Sequence, residues 1–371
     1  MKALNGGVLG LFPSFAGVGG VERSGHIAWQ SIANASAGDN HVICYGAPMR
    51  ANGNGTGVGV ASGRGTLHHT RSQIMAVLLA ASRRWPVRLI VVWHIGMLRM
   101  LPFIRTNGCK TALFLHGVEA WRPVSPVVAM LLNRVDTFLS ASDFTWETFL
   151  QYHPQLRSAR HLTVPFGLGE PVAGTVPAPA HPPTALMMGR IARRESYKGH
   201  DAVIAAWSRV LNHIPGARLK MIGPCDMRED LLALAAKHGV SGSVEIAGSV
   251  SEEDKERCLA ECRCMALPSR AEGFGLVYLE AMRMGRPCLV SNLDAGREVV
   301  CHADGSIAGG LAAGLAADPA NSDELASALV RLMTPGAEWD EWSGAGRRRY
   351  ESRYTETQFQ ERLIAALAGL S

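Results

Sequence analysis

The chain has 371 residues, of which 47% are hydrophobic and 19% charged, a globular composition with enough apolar residues for two domains rather than that of a disordered chain. Its net charge of +5 is unevenly distributed, because residues 1–168 carry 15 Lys and Arg against 6 Asp and Glu, whereas the remainder carries 22 against 26. The basic first half suggests an anionic partner, either a nucleic acid or a membrane surface, with ordinary solvated surface as the alternative.

The cysteine pattern and the apolar runs indicate where the protein works. Cys258, Cys262 and Cys264 cluster, but no Cys or His pair stands at the distance of a zinc finger or zinc ribbon. The first residues lack the long apolar region of a signal peptide, and runs such as Leu89–Trp93 are far shorter than the ~20 residues that span a bilayer. We therefore expect reduced thiols and a cytoplasmic protein, either soluble or peripheral on the inner face of the cell membrane.

Strand and helix patterns alternate along the first half. Gly7–Phe12 predicts a strand, Gly17–Gly20 forms a glycine loop, and a helix begins near Val21. Asn52–Gly65 is rich in glycine and predicts a mobile loop. This alternation predicts a parallel sheet with helices on both faces. The further strands of this half are Val87–Trp93, Thr111–Leu115, Phe138–Ser140 and Leu162–Val164.

A proline-rich stretch separates the two halves. Gly169–Pro183 holds five prolines in fifteen residues, which excludes a helix or a central strand and predicts a linker. We predict an N-terminal Rossmann-like domain over 1–168 and a C-terminal one over 184–349, with ligands at the sheet ends that face a cleft between them. The predicted strands of the second domain are Ala185–Met188, Arg218–Ile222, Val244–Ala247, Cys264–Leu267 and Pro287–Val290, and its predicted helices are Asp201–Leu211, Glu229–His238, Glu252–Glu261 and Val277–Met284.

Two carboxylates flank a glycine loop after the strand that ends at Leu267. The free amides at the start of the following helix attract phosphate, and Gly273 and Gly275 allow the backbone to approach a ligand closely. Glu272 is placed to accept hydrogen bonds from sugar hydroxyls, and Glu280, one turn into the helix, to reach a ribose diol. The alternative is that Glu280 is a solvated helix charge and that the helix dipole favours Glu272.

The segment E-G-F-G-L-x-x-L-E-A-M closely resembles the E-x7-E signature of retaining glycosyltransferases of the GT-B fold, above all glycosyltransferase family 4. Ala266 and Pro268 before it and Gly285-x-Pro287 after it match as well. The resemblance implies a GT-B fold of two Rossmann-like domains facing across a cleft. A C-terminal helix within 350–371 would then pack on the first domain. It also implies that Glu272 binds the donor sugar, that Glu280 binds the ribose, and that the sugar and diphosphate are approached by the backbone of Gly273, Phe274, Gly275, Leu276 and Val277.

A second segment resembles the family's pair of basic residues for the donor diphosphate. It runs from Met188 to His200 and contains Arg190 and Lys198. Negative charge grows on the β-phosphate as the glycosidic bond breaks, and the two cations would stabilise it. The spacing is two residues longer than in many family members, so Arg193 and Arg194 are alternatives for this role. An Arg and a Lys eight residues apart would by themselves indicate only surface charge.

Three shorter segments carry the resemblance further. Gly17–Arg23 resembles the N-terminal glycine loop, in which the amides of Gly19 and Gly20 approach the diphosphate or the acceptor; a tight turn is the alternative. His116 begins a His-Gly element whose histidine contacts the donor sugar beside the reaction centre, although a lone His at a strand end is more often a structural hydrogen bonder. Val250, within Gly248–Ser251, would contact the nucleobase.

These features predict a retaining glycosyltransferase that moves a sugar from a GDP- or UDP-sugar to a glycan or lipid-linked glycan, in polysaccharide or glycolipid assembly. No protein nucleophile is evident, so Glu272 would hold hydroxyls while the acceptor attacks from the leaving-group side, as the resemblance implies. The sequence contains no Asp-x-Asp motif, and we expect no metal. The nucleotide-sugar is a co-substrate, and we expect no further cofactor.

The acceptor is expected to meet the basic first half. Arg83–Pro86 and Met97–Arg105 mix cations with large apolar groups, a combination suited to an anionic membrane. The alternative is a buried helix whose arginines reach out to solvent. A nucleic-acid partner is not expected, because no stacking platform or known module is evident. Two alternative functions are another GT-B enzyme, such as a phosphorylase or a nucleotide-sugar epimerase, and a non-catalytic sugar-binding protein.

Overall fold

The computed structural model describes residues 4–15, 19–45, 65–70, 72–106, 108–175, 177–301 and 312–370. The chain divides into two compact units, Met1–Gly167 with Glu356–Ser371, and Leu168–Thr355. Gly17 and Val18 of the predicted glycine loop lie outside the described residues, as does the predicted mobile loop up to residue 64.

The first unit is built on a parallel sheet. Its described strands are β1 (Gly7–Phe12), β2 (Asn40–Tyr45), β3 (Gly65–Thr70), β4 (Val87–Val92), β5 (Lys110–Leu115), β6 (Thr137–Ser140) and β7 (His161–Thr163). They lie in the order β3-β2-β1-β4-β5-β6-β7, so that Leu9 of β1 pairs with His41 on one side and Ile90 on the other. The order reverses direction between β1 and β4, which is the position where open parallel sheets bind ligands.

Helices cover this sheet. They are α1 (Gly20–Ala35), α2 (Gln73–Ala81), α3 (Pro126–Leu132) and α4 (Asp143–Tyr152), with a 3₁₀ segment over Ile95–Phe103. Two serines cap helices as their positions predict: Ser72 Oγ accepts from the amide of Met75, and Ser142 Oγ from the amide of Thr145.

The 3₁₀ segment changes the interpretation of the cationic, apolar stretches predicted to meet a membrane. Trp85, Met97, Leu98 and Met100 are buried in the core of the first unit, and its arginine Arg99 is exposed. These four apolar side chains therefore stabilise the fold, as the alternative of a buried segment with arginines in solvent predicts, whereas Phe103 of the same segment is exposed.

The second unit repeats the architecture. Its described strands are β8 (Thr184–Met188), β9 (Arg218–Ile222), β10 (Val244–Gly248), β11 (Cys264–Leu267), β12 (Cys288–Ser291) and β13 (Gly314–Ala317). They are parallel in the order β10-β9-β8-β11-β12-β13, with the reversal between β8 and β11. Its helices are α5 (His200–His213), α6 (Arg228–Lys237), α7 (Glu252–Glu261), α8 (Leu276–Arg283), α9 (Gly296–Val300), α10 (Ser322–Met333) and α11 (Ala337–Arg353). The predicted pair of Rossmann-like α/β domains is present.

The proline-rich stretch 169–183 is held against the second unit by hydrogen bonds to its backbone. Arg283 Nε donates to the carbonyl of Glu170 at 2.7 Å, and the amide of Ala180 donates to the carbonyl of Glu261 at 2.9 Å. Along the chain, the first unit therefore ends at Gly167 and the second begins at Leu168. The second unit ends at Thr355, and the chain returns to the first unit with α12 (Glu356–Ala368).

Helix α12 packs with the first unit against α1, and Phe359 contacts Phe166 edge to face at 5.5 Å between ring centroids. The six residues before this helix, 350–355, are part of the second unit. None of the helices in the described part of the chain has the length and apolar character needed to span a bilayer.

Candidate active site

The candidate site lies at the carboxyl edge of the second unit's sheet, where β11 ends at Leu267 and α8 begins at Leu276. Gly275 has φ +85°, and a Cβ there would lie 2.3 Å from Cε2 of the buried Tyr278 ring, so only glycine fits. As the residue that precedes α8, Gly275 offers no side chain to its first amides. The helix start is therefore a ready site for an anion.

Glu272 folds back onto this loop. Its carboxylate accepts hydrogen bonds from the amides of Gly273 and Phe274. Burial raises the pKa of Glu272, while Lys198 and the two amides favour its charged form. The structure thus brings Glu272 and Lys198 into electrostatic contact, with the Glu272 carboxylate held on the loop that leads into α8.

Asp294 is a part of the site that the sequence did not predict. It follows β12 and is fully buried, with Oδ2 accepting from the amide of Glu272 and Oδ1 from the amide of Gly296, both at 2.9 Å. The amide of Ala295 in turn donates to the carbonyl of Glu272 at 3.1 Å. Burial, with a smaller contribution from the Glu272 carboxylate, raises the pKa of Asp294 to about 8 against the effect of these amides.

The two predicted cations converge on a single carboxylate. Arg190 Nη1 lies 2.5 Å from Glu195 Oε1, and Lys198 Nζ lies 2.8 Å from Glu195 Oε2. The Lys198 side chain is 14% exposed and that of Arg190 40%. Burial works to raise the pKa of Glu195, but Lys198 and Arg190 outweigh it and hold the pKa below its usual value. This trio carries one net positive charge at the sheet edge.

The alternative cations are placed differently. Arg193 is exposed and pairs with Asp230 at 2.5 Å. Arg194 is 75% exposed, and its Nε is 3.8 Å from Glu195 Oε1. The structure therefore favours Arg190 and Lys198 for the diphosphate role. Glu195 was not predicted from the sequence. Its position between two cations that would otherwise repel each other could have indicated this role.

A close backbone approach joins this basic segment to the Glu272 loop. Gly199 has φ +80°, and a Cβ there would lie 2.4 Å from the carbonyl oxygen of Pro268. The amide of Arg270 donates to the carbonyl of Tyr197 at 2.8 Å. These contacts fix Lys198 relative to the loop 268–275, and glycine at position 199 permits them.

Glu280 is also held by a partner that the sequence did not predict. Its side chain is 13% exposed, and Oε1 lies 3.2 Å from Lys255 Nζ in α7. Lys255 is shared with the exposed Glu252 at 2.5 Å. Because α7 begins directly after the segment Gly248–Ser251, Glu280 lies on the side of the site that was predicted for the nucleoside. Val250, in that segment, is partly exposed.

The predicted residues of the first unit are described separately. Gly19 precedes α1, Gly20 is its first residue, and the amide of Arg23 donates to the carbonyl of Gly19 at 3.0 Å. The alternative for the glycine loop, a tight turn, rests on residues that are only partly described. The roles of Gly19 and Gly20 stay predictions.

His116 is buried at the end of β5. Its Nε2 lies 2.5 Å from the carbonyl oxygen of Trp93, which can only accept, so Nε2 carries the proton. Nδ1 is then an acceptor, and it is buried with no hydrogen-bond partner in the described part of the chain. Burial lowers the pKa of His116 to about 4, so the ring is neutral near pH 7. The Nε2 bond is structural, whereas the contact of His116 with a donor sugar stays a prediction.

Within the described ranges, no three His, Cys, Asp or Glu side chains converge in a way that would hold a metal ion. The eight cysteines are unpaired.

Comparisons with known proteins give this geometry a context. Residues 182–335 match the family model described as Glycosyl transferases group 1. The chain is 26% identical over 265 residues to a GDP-mannose-dependent alpha-(1-6)-phosphatidylinositol monomannoside mannosyltransferase of Mycobacterium tuberculosis, covering 63% of each chain. It is 31% identical over 193 residues to the glycogen synthase of the same organism, covering 49% of this chain and 46% of the relative. The chain therefore spans less than two thirds of the curated relatives it matches.

Solved structures match over almost the whole chain. A glycosyltransferase from Rickettsia africae covers 100% of this chain and 99% of its own, with a TM-score of 0.75 at 14% identity. Anabaena HepE in complex with UDP and glucose covers 98% and 99%, with a TM-score of 0.72 at 16% identity. The GT-B fold and the resemblance to glycosyltransferases expected from the sequence are confirmed.

Proposed function

We propose that this chain transfers a sugar from a nucleotide-diphosphate donor to a glycan or lipid-linked glycan acceptor, in keeping with the match of residues 182–335 to the glycosyl transferases group 1 model. The observation that carries the proposal is the arrangement of Arg190 and Lys198 on Glu195, with Lys198 beside Glu272 at the start of α8. A cation pair and a row of helix amides suit a diphosphate, and a partly buried carboxylate next to them suits sugar hydroxyls.

The chemistry follows from where charge develops. As the glycosidic bond breaks, negative charge grows on the β-phosphate, and preorganised cations stabilise it without reorganisation. Lys198 is held by Glu195 and by the backbone contact at Gly199, so its ammonium group is oriented before the donor binds. In this proposal the donor diphosphate is stabilised by these cations and needs no metal.

We assign retention to a front-face reaction in which Glu272 orients the sugar and the departing phosphate oxygen takes the proton of the acceptor hydroxyl. Glu272 is poorly suited as a nucleophile, because two amides of its own loop engage its carboxylate. A double displacement needs a free carboxylate on the opposite face of the sugar.

The test is donor hydrolysis and transfer across GDP- and UDP-sugars, compared for the wild type and Glu272→Ala. Both GDP-sugars and UDP-sugars are tested, because one relative is named for GDP-mannose and HepE was solved with UDP. We expect one sugar nucleotide to be turned over and Glu272→Ala to lose this activity. Conversion of a donor to its epimer without hydrolysis would instead identify an epimerase, and binding without turnover would identify a sugar-binding protein.

The acceptor side of the proposal is an anionic membrane surface at the first unit. Exposed apolar side chains lie on α2, at Ile74, Met75 and Leu78, and on α3, at Val127 and Met130. Both helices pack against the 95–103 segment, which adds the exposed Phe103 and Arg99. Apolar groups next to arginines in a unit of positive charge suit the interface of an anionic bilayer. The mycobacterial relative, by its name, acts on a phosphatidylinositol mannoside.

Liposome sedimentation at low salt tests this contact. We expect binding to vesicles that contain phosphatidylserine and weak binding to phosphatidylcholine alone. The variant Ile74→Ser/Leu78→Ser should lose most of the binding, because it removes two apolar groups of α2 without touching the core. Leu232→Ser is the matched control, since Leu232 is an exposed apolar residue of the second unit. If the protein ignores anionic vesicles, the membrane part of the proposal fails while donor turnover is unaffected.

A further inference from the structure

Two buried arginines lie at the amino edge of the second unit's sheet, opposite the candidate active site. Arg263 directly precedes β11 and Arg286 precedes β12, and they are 7% and 2% exposed. β11 has four residues, so Arg263 and the loop at Pro268 are separated by roughly 17 Å along the strand at ~3.3 Å per residue. This edge is therefore distinct from the proposed donor site.

The guanidinium of Arg263 is incompletely satisfied. Its Nε is buried and has no hydrogen-bond partner among the residues that the structure describes. It lies over the Trp339 ring, with Cζ 5.3 Å from the ring centroid. A buried cation without a hydrogen-bonded partner is costly, and proteins retain such groups where something else supplies the negative charge.

Arg286 next to it is satisfied by carbonyl groups alone. Its Nε donates to Leu259 at 3.0 Å, and Nη2 donates to Pro177 at 2.6 Å and also to Ala260. Leu259 and Ala260 belong to the last turn of α7, so Arg286 caps the negative end of that helix. The Arg286 guanidinium forms no ion pair with a carboxylate of the described residues, and burial together with Arg263 lowers its pKa.

Both arginines line a cavity of about 230 Å³. The start of α11, a helix of 17 residues, also borders it, and Gly336 before this helix has no side chain to cap its first amides. Ser343 adds a hydroxyl, and Pro177–Pro179 form a wall. We propose that this cavity, here called the arginine pocket, binds a small oxyanion of the phosphate class.

The charges around the arginine pocket fit one anion. Two guanidiniums and a helix start outweigh the single carboxylate in the lining, that of the exposed Asp340. The bound anion would satisfy Arg263, and it would stabilise the Pro177–Pro179 wall through Arg286. Asp340 opposes the anion, so removing its charge should tighten binding.

Calorimetric titration with inorganic phosphate tests the proposal, with chloride at equal ionic strength as the blank. Because phosphate also suits the proposed donor site, the titration is repeated on Lys198→Met, which should retain the arginine-pocket binding. We expect Arg263→Gln to weaken this binding at least about tenfold, as loss of a charge-assisted contact does. The matched control is Arg331→Gln, since Arg331 lies 5.4 Å from the Trp342 ring but is exposed and paired with Glu338.

A second variant keeps the test decisive if Arg263→Gln does not fold. Asp340→Asn alters an exposed side chain, and we expect it to tighten phosphate binding in the Lys198→Met background at least about threefold, the effect of removing one nearby like charge. Binding that is unchanged in Asp340→Asn, or in a folded Arg263→Gln, would overturn the proposal. This outcome would not bear on the proposed transferase activity, because the proposed donor site lies at the opposite edge of the sheet and is tested separately by donor turnover.

Discussion

The backbone amide of Glu272 donates a hydrogen bond to Oδ2 of the buried Asp294 at 2.9 Å. This bond connects the loop after β11 to the segment that follows the neighbouring strand β12. A second bond runs in the opposite direction, from the amide of Ala295 to the carbonyl of Glu272. The position of the Glu272 carboxylate is therefore set from an adjacent strand. Asp294 is a positioning residue for Glu272, and its own charge state is sensitive to pH.

We expect the stability of the protein to fall as pH rises toward 8, and Asp294→Asn to reduce that fall. Burial raises the pKa of Asp294 from 3.8 to about 8, so the folded state holds a proton that the unfolded state has released. Between these two pKa values the free energy of unfolding falls as the pH rises, by at most about 1.4 kcal/mol per pH unit. Urea unfolding at several pH values between about 5 and 8 measures it.

Asn at this position keeps one oxygen for an amide and cannot ionise, so its unfolding free energy should vary less with pH than that of the wild type. Burial raises the pKa of Glu272 in the same direction, and the difference between the two proteins isolates Asp294. Parallel pH profiles for wild type and variant would show that Asp294 does not titrate in this range.

Lys198→Met and Arg190→Met should each lower kcat for donor turnover by about 100-fold or more, the effect of removing one preorganised donor to a developing charge. Their effect on KM should be smaller, because the charge on the β-phosphate grows mainly in the transition state. Arg194→Met is the matched control, since Arg194 is exposed and 3.8 Å from the same Glu195. Steady-state kinetics with the accepted donor measures all three, and an equal loss in the control would remove the assignment.

Glu280→Gln should weaken discrimination between a ribose donor and its deoxyribose analogue. Glu280 is held by Lys255 with its carboxylate largely shielded from water, and a carboxylate that accepts from a ribose hydroxyl rejects a donor that lacks it. The measurement is the ratio of kcat/KM for the two donors. Glu252→Gln serves as control, because Glu252 is the exposed second partner of Lys255. An unchanged ratio in Glu280→Gln would exclude the ribose role.

Much of the second unit follows from sequence patterns. Glu252–Glu261 and Cys264–Leu267 were predicted with the observed bounds, because strong caps and a short buried apolar run mark their ends. The observed β2 and β3 were not predicted, since β3 is polar and lies at the edge of its sheet. In the stretches predicted to meet a membrane, Trp85, Met97, Leu98 and Met100 are buried and Phe103 is exposed. The sequence does not separate these cases, because cations flanking a buried segment and cations beside a membrane give the same local pattern.

Prediction of the site divides in the same way. Glu272 and Glu280 were predicted from a contiguous motif, and Arg190 and Lys198 from a segment that resembles the family's basic pair; their roles stay predictions. Asp294, Glu195 and Lys255 were missed, since each acts by contacting a residue distant in sequence or by sharing a charge. Asp294 became evident only when the sheet order placed β12 beside β11. Partners of this kind depend on strand adjacency, which periodicity in a single sequence does not reveal.

Gly275→Ala should destabilise the second unit more than Gly239→Ala, although both glycines have a left-handed φ, +85° and +69°. A Cβ at position 239 meets nothing within 4 Å, so the cost there is backbone strain of roughly 1–2 kcal/mol. At position 275 the Cβ would lie 2.3 Å from the Tyr278 ring, which cannot move freely because its hydroxyl donates to the carbonyl of Leu267 at 2.8 Å. This clash adds about 1–3 kcal/mol. Urea unfolding of the two variants compares them directly, and donor turnover should be lost only in Gly275→Ala, because only this residue directly precedes the helix whose first amides are proposed to bind the diphosphate. Equal unfolding free energies would mean that the loop relaxes around the added methyl group, and the requirement for glycine at the start of α8 would then be conformational alone.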